Sequence, residues 1–304
     1  MFQLTEHPPI ARQNTRYGRL FGVLFREVQA SNPMKTQGIA LALSSGGARG
    51  LAHIGVLKVL ERHHIPIAGI AGSSMGGVIG ALYASGYSGE MIENIVKGIR
   101  RSHWIDFSVS RMGLLAGKKL EGLINLFTQG KSFEDCHPPL LVVAVDIEKG
   151  TEVVLKSGPL AQAIRATASI PGIFSPVVMD GRILVDGGVI NRVPVNVAKT
   201  IPNSLVVAVD VGVDLAPQVN SMFDVLFQTF DIMVRELRRY QPVDADVVIE
   251  PRVGFTRDAH VSHVEELIRA GEEAGERAIP LILHRLYGES DAISHKDTEQ
   301  GGIQ

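Results

Sequence analysis

The chain has 304 residues, of which 45% are hydrophobic and 20% are charged, a balance typical of a globular protein with a substantial core. Its net charge is −2, whereas nucleic-acid-binding proteins typically carry a strong excess of basic residues, so no nucleic-acid partner is expected. Cys136 is the only cysteine, which excludes an intramolecular disulfide and an all-cysteine metal site.

Residues 1–36 differ from the rest of the chain and are interpreted as an N-terminal extension. Leu20, Leu24 and Val28 follow a helical repeat, and basic side chains outnumber acidic ones around them. One interpretation is a helix packed on the domain, and the other is an amphipathic helix that touches a membrane. The first twelve residues do not form a signal peptide, and no apolar run is long enough for a spanning helix. We therefore expect a cytoplasmic protein, with peripheral membrane contact as a further hypothesis.

Alternating strands and helices are predicted from residue 37 to residue 286. Short apolar runs predict strands at 39–43, 67–71, 140–146, 152–155, 182–185, 205–210 and 246–249. Helices are predicted at 53–63, 77–84, 159–167, 195–200, 222–239 and 261–286, the last with a break or kink at Pro280. This alternation predicts one α/β domain whose mostly parallel sheet is covered on both faces. The polar segment 287–304 is predicted to be a disordered tail.

The sharpest motif is Gly72-Ser73-Ser74-Met75-Gly76, which lies between a predicted strand and a predicted helix. This is the G-x-S-x-G elbow of serine hydrolases in the strand-turn-helix setting that it requires. Gly72 and Gly76 leave room for a strained turn, which would present the Ser74 hydroxyl at the carboxyl edge of the sheet. The alternative is a glycine turn capped by a serine. We favour Ser74 as a nucleophile.

A second glycine-rich loop, Ser45-Gly46-Gly47-Ala48-Arg49-Gly50, also follows a predicted strand. Consecutive glycines let several backbone N–H groups point into one space, which suits an oxyanion or a phosphate. A phosphate cradle is disfavoured, because no Gly-Lys-Ser/Thr follows and Ser45 replaces the first glycine of the dinucleotide fingerprint. Paired with the elbow, the loop is better interpreted as an oxyanion hole.

The base that a serine nucleophile needs is sought among the acids and histidines. Asp186 ends an apolar predicted strand and precedes two glycines, so its carboxylate could take a hydroxyl proton directly, although an aspartate that opens a turn is the alternative. His53 is expected to pack or cap behind the glycine loop. The late histidines that a Ser-Asp-His order would require are His260, His263 and His284. Asp186 is the better candidate.

These three motifs, in this order, resemble the patatin-like phospholipase family, with the single-domain bacterial members most similar. The resemblance runs from about Gly38 to Leu286 and rests on LALSSGGARGLAHIGVL, GSSMGGVIGALYASG and AIRATASIPGIFSPVVMDGRILVDGGVINRVPV. It implies a three-layer α/β/α sandwich and a Ser-Asp dyad without a catalytic histidine.

The resemblance also assigns residues to roles. It places the nucleophile at Ser74, its partner at Asp186, the oxyanion hole at Gly46, Gly47 and Ala48, and loop support at Arg49 and Gly50. The chain departs from the family at Ser44 and Ser45, where glycine is usual. Serine tolerates a negative φ, so the loop is expected to survive these substitutions.

The implied activity is hydrolysis of carboxylic esters of phospholipids or lysophospholipids through an acyl-enzyme, with a lipid ester as the partner and no metal or cofactor. Three alternatives remain: an acyltransferase with the same dyad, a non-catalytic lipid-binding regulator and, more distantly, a phosphate-binding protein. The segment from Ser102 to Phe127 is interpreted as connecting structure, with a mobile flap over the acyl pocket as the alternative. The sequence makes no prediction of the oligomeric state.

Overall fold

The computed structural model describes residues 38–110, 112–212, 215, 218–220, 222–240, 242–254 and 261–288. The predicted N-terminal extension at 1–36 and residues 289–304 of the predicted tail lie outside these ranges, so the domain boundaries stay predictions. Tyr287, the first residue of the predicted tail, is instead the last residue of a helix. Within the ranges, no helix combines the length and the apolar character that crossing a bilayer would require.

Strands and helices alternate along the described chain. The strands are β1 (Gly38–Leu43), β2 (Ile67–Ser73), β3 (Phe107–Ser110), β4 (Gly113–Leu115), β5 (Leu140–Asp146), β6 (Thr151–Leu155), β7 (Gly172–Phe174), β8 (Val177–Met179), β9 (Arg182–Asp186), β10 (Ser204–Val209) and β11 (Val247–Ile249). The helices are α1 (Ala52–Arg62), α2 (Met75–Ala84), α3 (Gly89–Gly98), α4 (Arg101–Trp104), α5 (Lys118–Phe127), α6 (Leu160–Thr167), α7 (Val195–Ala198), α8 (Met222–Tyr240) and α9 (Val261–Tyr287).

Most of these strands form one central sheet in the order β11-β10-β1-β2-β5-β9-β8, with β6 also paired to β5. The strands from β11 to β5 are mutually parallel, whereas β6 and β9 run antiparallel to β5. The short strands β3, β4 and β7 form a separate small sheet. The predicted mostly parallel sheet is therefore confirmed.

Helices bury both faces of the parallel strands. Ile39, Leu41 and Leu43 of β1 pack into one core together with side chains of α1, α2 and α9. Ala40 and Ala42 pack into a second core with α7. Successive side chains of a strand point to opposite faces, so a strand that is apolar at every position needs cover on both sides. The result is the α/β/α sandwich that the sequence predicts.

The strands β2 and β9 meet head to head on one side of β5. Ser73 at the end of β2 is paired with Val143, and Asp186 at the end of β9 is paired with the next residue, Ala144. Both Val143 and Ala144 are also paired with β6 on the other side of β5. Since β2 is parallel and β9 antiparallel to β5, their carboxyl ends converge. This convergence places residues 74 and 186 next to each other.

Several elements of the fold differ from the predictions. Helices α3, α4 and α5 and the short strands β3, β4, β7 and β8 were not predicted. Helix α9 continues past Pro280 without the predicted break. The segment from Ser102 to Phe127 contains most of α4, the strands β3 and β4, and α5. Leu115 within it is buried against Ile173 and Phe174. The segment is thus structured connecting chain, and its motion as a flap stays a prediction.

Candidate active site

Ser74 occupies a strained turn between β2 and α2. Its backbone has φ 51° and ψ −121°, a region that non-glycine residues seldom adopt and that costs on the order of 1–3 kcal/mol. A Cβ at Gly72 would lie 2.6 Å from the backbone nitrogen of Gly77, and a Cβ at Gly76 would lie 2.7 Å from the carbonyl oxygen of Ser44. Glycine is therefore required at both predicted elbow positions.

The Ser74 hydroxyl donates a hydrogen bond to Asp186, with 2.6 Å between Oγ and Oδ2. The other carboxylate oxygen, Oδ1, accepts the backbone N–H of Gly188 at 2.8 Å. Asp186 is almost fully buried, and this burial raises the pKa of its carboxyl from 3.8 to about 6, although the bonds from Ser74 and Gly188 oppose the shift. The two residues that the sequence nominated as nucleophile and base are therefore in direct contact.

The glycine loop packs against this pair. A Cβ at Gly50 would lie 2.6 Å from Cβ of Met75, the residue after Ser74, and a Cβ at Gly188 would lie 2.6 Å from Oγ of Ser45. The backbone N–H groups at positions 46, 47 and 48 have no hydrogen-bond acceptor within the described part of the chain. They are thus available to an oxygen anion beside Ser74.

Buried side chains hold the glycine loop in place. Arg49 Nε donates to the carbonyl oxygen of Gly46 at 3.3 Å, and its Nη2 forms an ion pair with Asp231 of α8 at 2.9 Å. His53 Nε2 lies 2.8 Å from the carbonyl oxygen of Ser44. A carbonyl only accepts, so Nε2 carries the proton here, and burial lowers the pKa of the imidazole to about 4. His53 supports the loop, as expected from its place behind it.

The serines that replace the family's glycines fit without strain. Neither Ser44 nor Ser45 is among the described non-glycine residues with positive φ. The Ser44 hydroxyl accepts the backbone N–H of Val211 at 3.2 Å. Both serines therefore avoid the positive φ that would make them strained, and an intact oxyanion loop stays a prediction.

Two residues at the end of α6 that sequence reasoning missed hold the backbone of the dyad. The Thr167 hydroxyl accepts the backbone N–H of Ser74 at 2.9 Å and donates to the carbonyl oxygen of Val143. The carbonyl oxygen of Ser169 accepts the backbone N–H of Asp186 at 2.9 Å. One helix end therefore positions both halves of the pair.

Arg165, also missed, connects this helix end to the chain around it. Its guanidinium is almost fully buried and donates to the Ser169 hydroxyl and to the carbonyl oxygens of Gly117, Ala116 and Ser175 at 3.1, 2.9 and 2.8 Å. These bonds tie the chain after β4 to the segment that supports the dyad. A charged residue at a buried helix position was the available signal, because such residues are rarely buried without partners.

The late histidines that a Ser-Asp-His order would require are not part of the site among the described residues. His263 and His284 are exposed on α9, and His260 lies outside the described ranges. The described part of the chain holds no group of three or more His, Cys, Asp or Glu side chains placed to bind a metal ion.

The chain is similar in sequence to proteins of a known family. The family model described as patatin-like phospholipase matches residues 41–199, a range that includes the elbow, the glycine loop and Asp186. An uncharacterised NTE-family protein of Mycobacterium bovis is 36% identical over 200 residues, which cover 65% of this chain and 56% of that protein. Patatin-like phospholipase domain-containing protein 6 of Homo sapiens is 35% identical over 182 residues, which cover 57% of this chain and 13% of that protein.

The fold has a counterpart among solved structures. The crystal structure of VipD from Legionella pneumophila matches with a TM-score of 0.58 at 12% identity, covering 83% of this chain and 68% of that one. At this identity the likeness concerns the fold alone. In sequence, the chain spans little more than half the length of the mycobacterial relative.

Proposed function

The chain belongs to the patatin-like phospholipase family, and from this premise we propose that it is a lipid acyl hydrolase. Its substrates are carboxylic esters of phospholipids or lysophospholipids, and Ser74 and Asp186 act as nucleophile and base. The observation that carries the proposal is the 2.6 Å hydrogen bond from the Ser74 hydroxyl to a buried carboxylate. The names of the relatives, which include a phospholipase-domain protein, support the substrate class.

The acylation step follows from the geometry. Asp186 Oδ2 takes the proton of Ser74 as Oγ attacks the ester carbonyl carbon. The carbonyl oxygen becomes an anion, which the N–H groups of Gly46, Gly47 and Ala48 stabilise together with the N-terminus of α2. When the tetrahedral intermediate collapses, the bond to the alcohol breaks and Asp186 returns the proton to the leaving oxygen.

Deacylation repeats these steps with water. Asp186 takes a proton from a water molecule that attacks the acyl-enzyme, and the fatty acid leaves as Ser74 regains its proton. A base with a pKa of about 6 is ionised at neutral pH but remains basic enough to share a proton in the transition state. The raised pKa of Asp186 therefore fits a carboxylate that works without a histidine.

Hydrolysis of soluble p-nitrophenyl esters and of lysophosphatidylcholine by the wild type, Ser74→Ala and Asp186→Asn tests this proposal. We expect each substitution to lower kcat/KM by about 10³-fold or more, because nucleophile and base act as a unit. Ser73→Ala is the matched control, since its buried hydroxyl has no hydrogen-bond partner in the described structure, and it should keep near wild-type turnover. Near-normal activity in Asp186→Asn would show that another group is the base. A wild type that is inert on all esters and unlabelled by a fluorophosphonate would favour the non-catalytic alternative.

A further inference from the structure

Helix α8 presents an apolar face to solvent. Its exposed apolar residues form two groups on one side of the helix, one in the first five residues and one in the last eight, and 38–82% of the surface of each is accessible. We call this face the outer stripe, which consists of Met222, Val225, Leu226, Met233, Leu237 and Tyr240. An ordinary surface helix turns such a face toward the core.

The charged side of the same helix faces the domain. Asp231 pairs with Arg49 of the glycine loop at 2.9 Å, and Arg238 Nη2 lies 3.0 Å from a carboxylate oxygen of Asp210. Val234, between them on this side, is buried. The positions 231, 234 and 238 lie on one side of a helix, opposite the outer stripe. The two ion pairs therefore fix the rotation of α8 and keep its apolar residues outward.

Helix α8 contacts the candidate active site through its domain-facing side, and one residue of the outer stripe, Leu226, lies near β7. Asp231 contacts the loop that carries the three free N–H groups. At the other end of the helix, a Cβ at Gly172 would lie 3.6 Å from Cδ1 of Leu226. Gly172 begins β7, shortly after the helix end that positions Ser74 and Asp186. A surface that binds the outer stripe would thus lie against a helix that itself contacts the glycine loop.

The dimensions of the outer stripe favour a lipid surface over a second protein copy. A helix of 19 residues is about 28 Å long, so a stripe about 10 Å wide covers roughly 300 Å². Stable protein interfaces bury about 800 Å² on each partner, whereas a helix that lies in a membrane interface needs to bury only its apolar face.

The ends and edges of the outer stripe also suit a lipid surface. Tyr240 combines an apolar ring with a polar tip, as residues at the membrane interface do. Arg235 and Arg239 are exposed at the flank of the stripe, and both pair with Glu236, which lies on the stripe's own side three positions after Met233. This leaves one net positive charge on that edge toward anionic headgroups.

We propose that the outer stripe of α8 docks the enzyme on phospholipid surfaces and brings the glycine loop and Ser74 to the ester. The inference rests on the proposed lipid acyl hydrolase function, because the substrate of such an enzyme resides in these surfaces. Docking and chemistry are nevertheless separable, since the described hydrogen bonds of Ser74 and Asp186 involve no residue of α8.

The test is co-sedimentation of the full chain with sucrose-loaded vesicles of phosphatidylcholine and phosphatidylglycerol, carried out in the Ser74→Ala background. The stripe variant combines Val225→Gln and Met233→Gln. The matched control combines Met91→Gln and Leu281→Gln, two exposed apolar residues on α3 and α9, outside the outer stripe. We expect the stripe variant to bind vesicles at least about tenfold more weakly than its parent. The control should bind vesicles like the parent.

Activity measurements on the same substitutions with Ser74 intact separate this inference from the proposed function. The stripe variant should lose vesicle phospholipid hydrolysis about tenfold while keeping turnover of soluble p-nitrophenyl butyrate. Unchanged vesicle binding with normal ester turnover would overturn docking by α8 and leave the proposed function standing. Absent ester turnover in the wild type would instead contradict the proposed function. A wild-type dimer that the stripe variant converts to a monomer in light scattering would assign the stripe to a second copy and overturn the inference.

Discussion

Two buried carboxylates at strand ends, Asp186 and Asp210, lie in opposite electrostatic settings. Asp210, just after β10, is paired with Arg192 at 2.7 Å and with Arg238 at 3.0 Å. Asp186, at the end of β9, has only neutral hydrogen-bond donors among the described residues, namely the Ser74 hydroxyl and the Gly188 N–H. Nearby cations stabilise a buried carboxylate, whereas burial without them favours its protonated form. A strand-end aspartate is therefore suited to act as a base when no cation neutralises it.

Replacing each carboxylate by an amide should have different effects on stability, and the larger of the two is the largest effect that we expect. Asp210→Asn should lower the free energy of unfolding by about 3–5 kcal/mol, because it leaves the largely buried guanidinium of Arg192 without its counter-charge. Asp186→Asn should leave stability unchanged or raise it at neutral pH, because it removes a buried charge that has no counter-charge. Denaturant unfolding followed by circular dichroism measures both.

A surface aspartate provides the control for these two substitutions. Asp244 forms an exposed ion pair with Lys199, so Asp244→Asn should leave the unfolding midpoint unchanged. An equal loss of stability in Asp186→Asn and Asp210→Asn would show that the two settings do not differ in the way described.

The pH dependence should separate stability from activity. Folding raises the pKa of Asp186 from 3.8 to about 6, so its contribution to stability is complete below pH 4 and is lost as the pH rises through 6. The difference in unfolding free energy between the wild type and Asp186→Asn should fall by on the order of 3 kcal/mol over this window. The kcat/KM for a soluble ester should rise over the same window and level off above pH 7, because the base must be ionised. A stability difference that does not vary with pH would contradict the assignment.

The smallest expected effect concerns the strain at Ser74. Ser74→Gly and Ser74→Ala both remove the hydroxyl, but only glycine adopts φ 51° without steric cost. Ser74→Gly should therefore be more stable than Ser74→Ala by about 1 kcal/mol, despite the larger entropy of an unfolded chain with glycine. Differential scanning calorimetry of the two inactive variants measures the difference. A lower Tm for Ser74→Gly would indicate that the elbow backbone stores no strain. The burial of Asp186 would then be the only feature of this site that destabilises the folded state.

Much of the site was predictable because its motifs are local. The elbow, the glycine loop and the strand-end Asp186 each combine an apolar strand with a glycine pattern, and sequence shows both. Helix α3 could also have been predicted, since Ser88 caps its start by accepting the N–H of Met91. Helix α5 was missed because its apolar repeat lies in a segment that we interpreted from its exposed-looking aromatic and aliphatic residues.

The supporting residues were not predictable from local pattern. Thr167 and Ser169 lie at and just beyond an ordinary helix end, and serine or threonine there usually bonds to its own helix. Their roles arise only because α6 packs across β5, which brings them to the ends of β2 and β9. The outward orientation of the apolar side of α8 was not predictable either. A helical repeat shows that a helix has an apolar side, but it does not show which side faces the domain.

The meeting of β2 and β9 on adjacent residues of β5 has a consequence for how such an enzyme can evolve. Ser74 and Asp186 are 112 positions apart in the chain, yet the pairing of three strands sets their separation. Insertions in the connecting chain that spare the helix end at Thr167 and Ser169 leave the hydroxyl and the carboxylate where the ladder holds them. For the proposed hydrolase, the rest of the connecting chain can therefore vary without moving the two reacting groups.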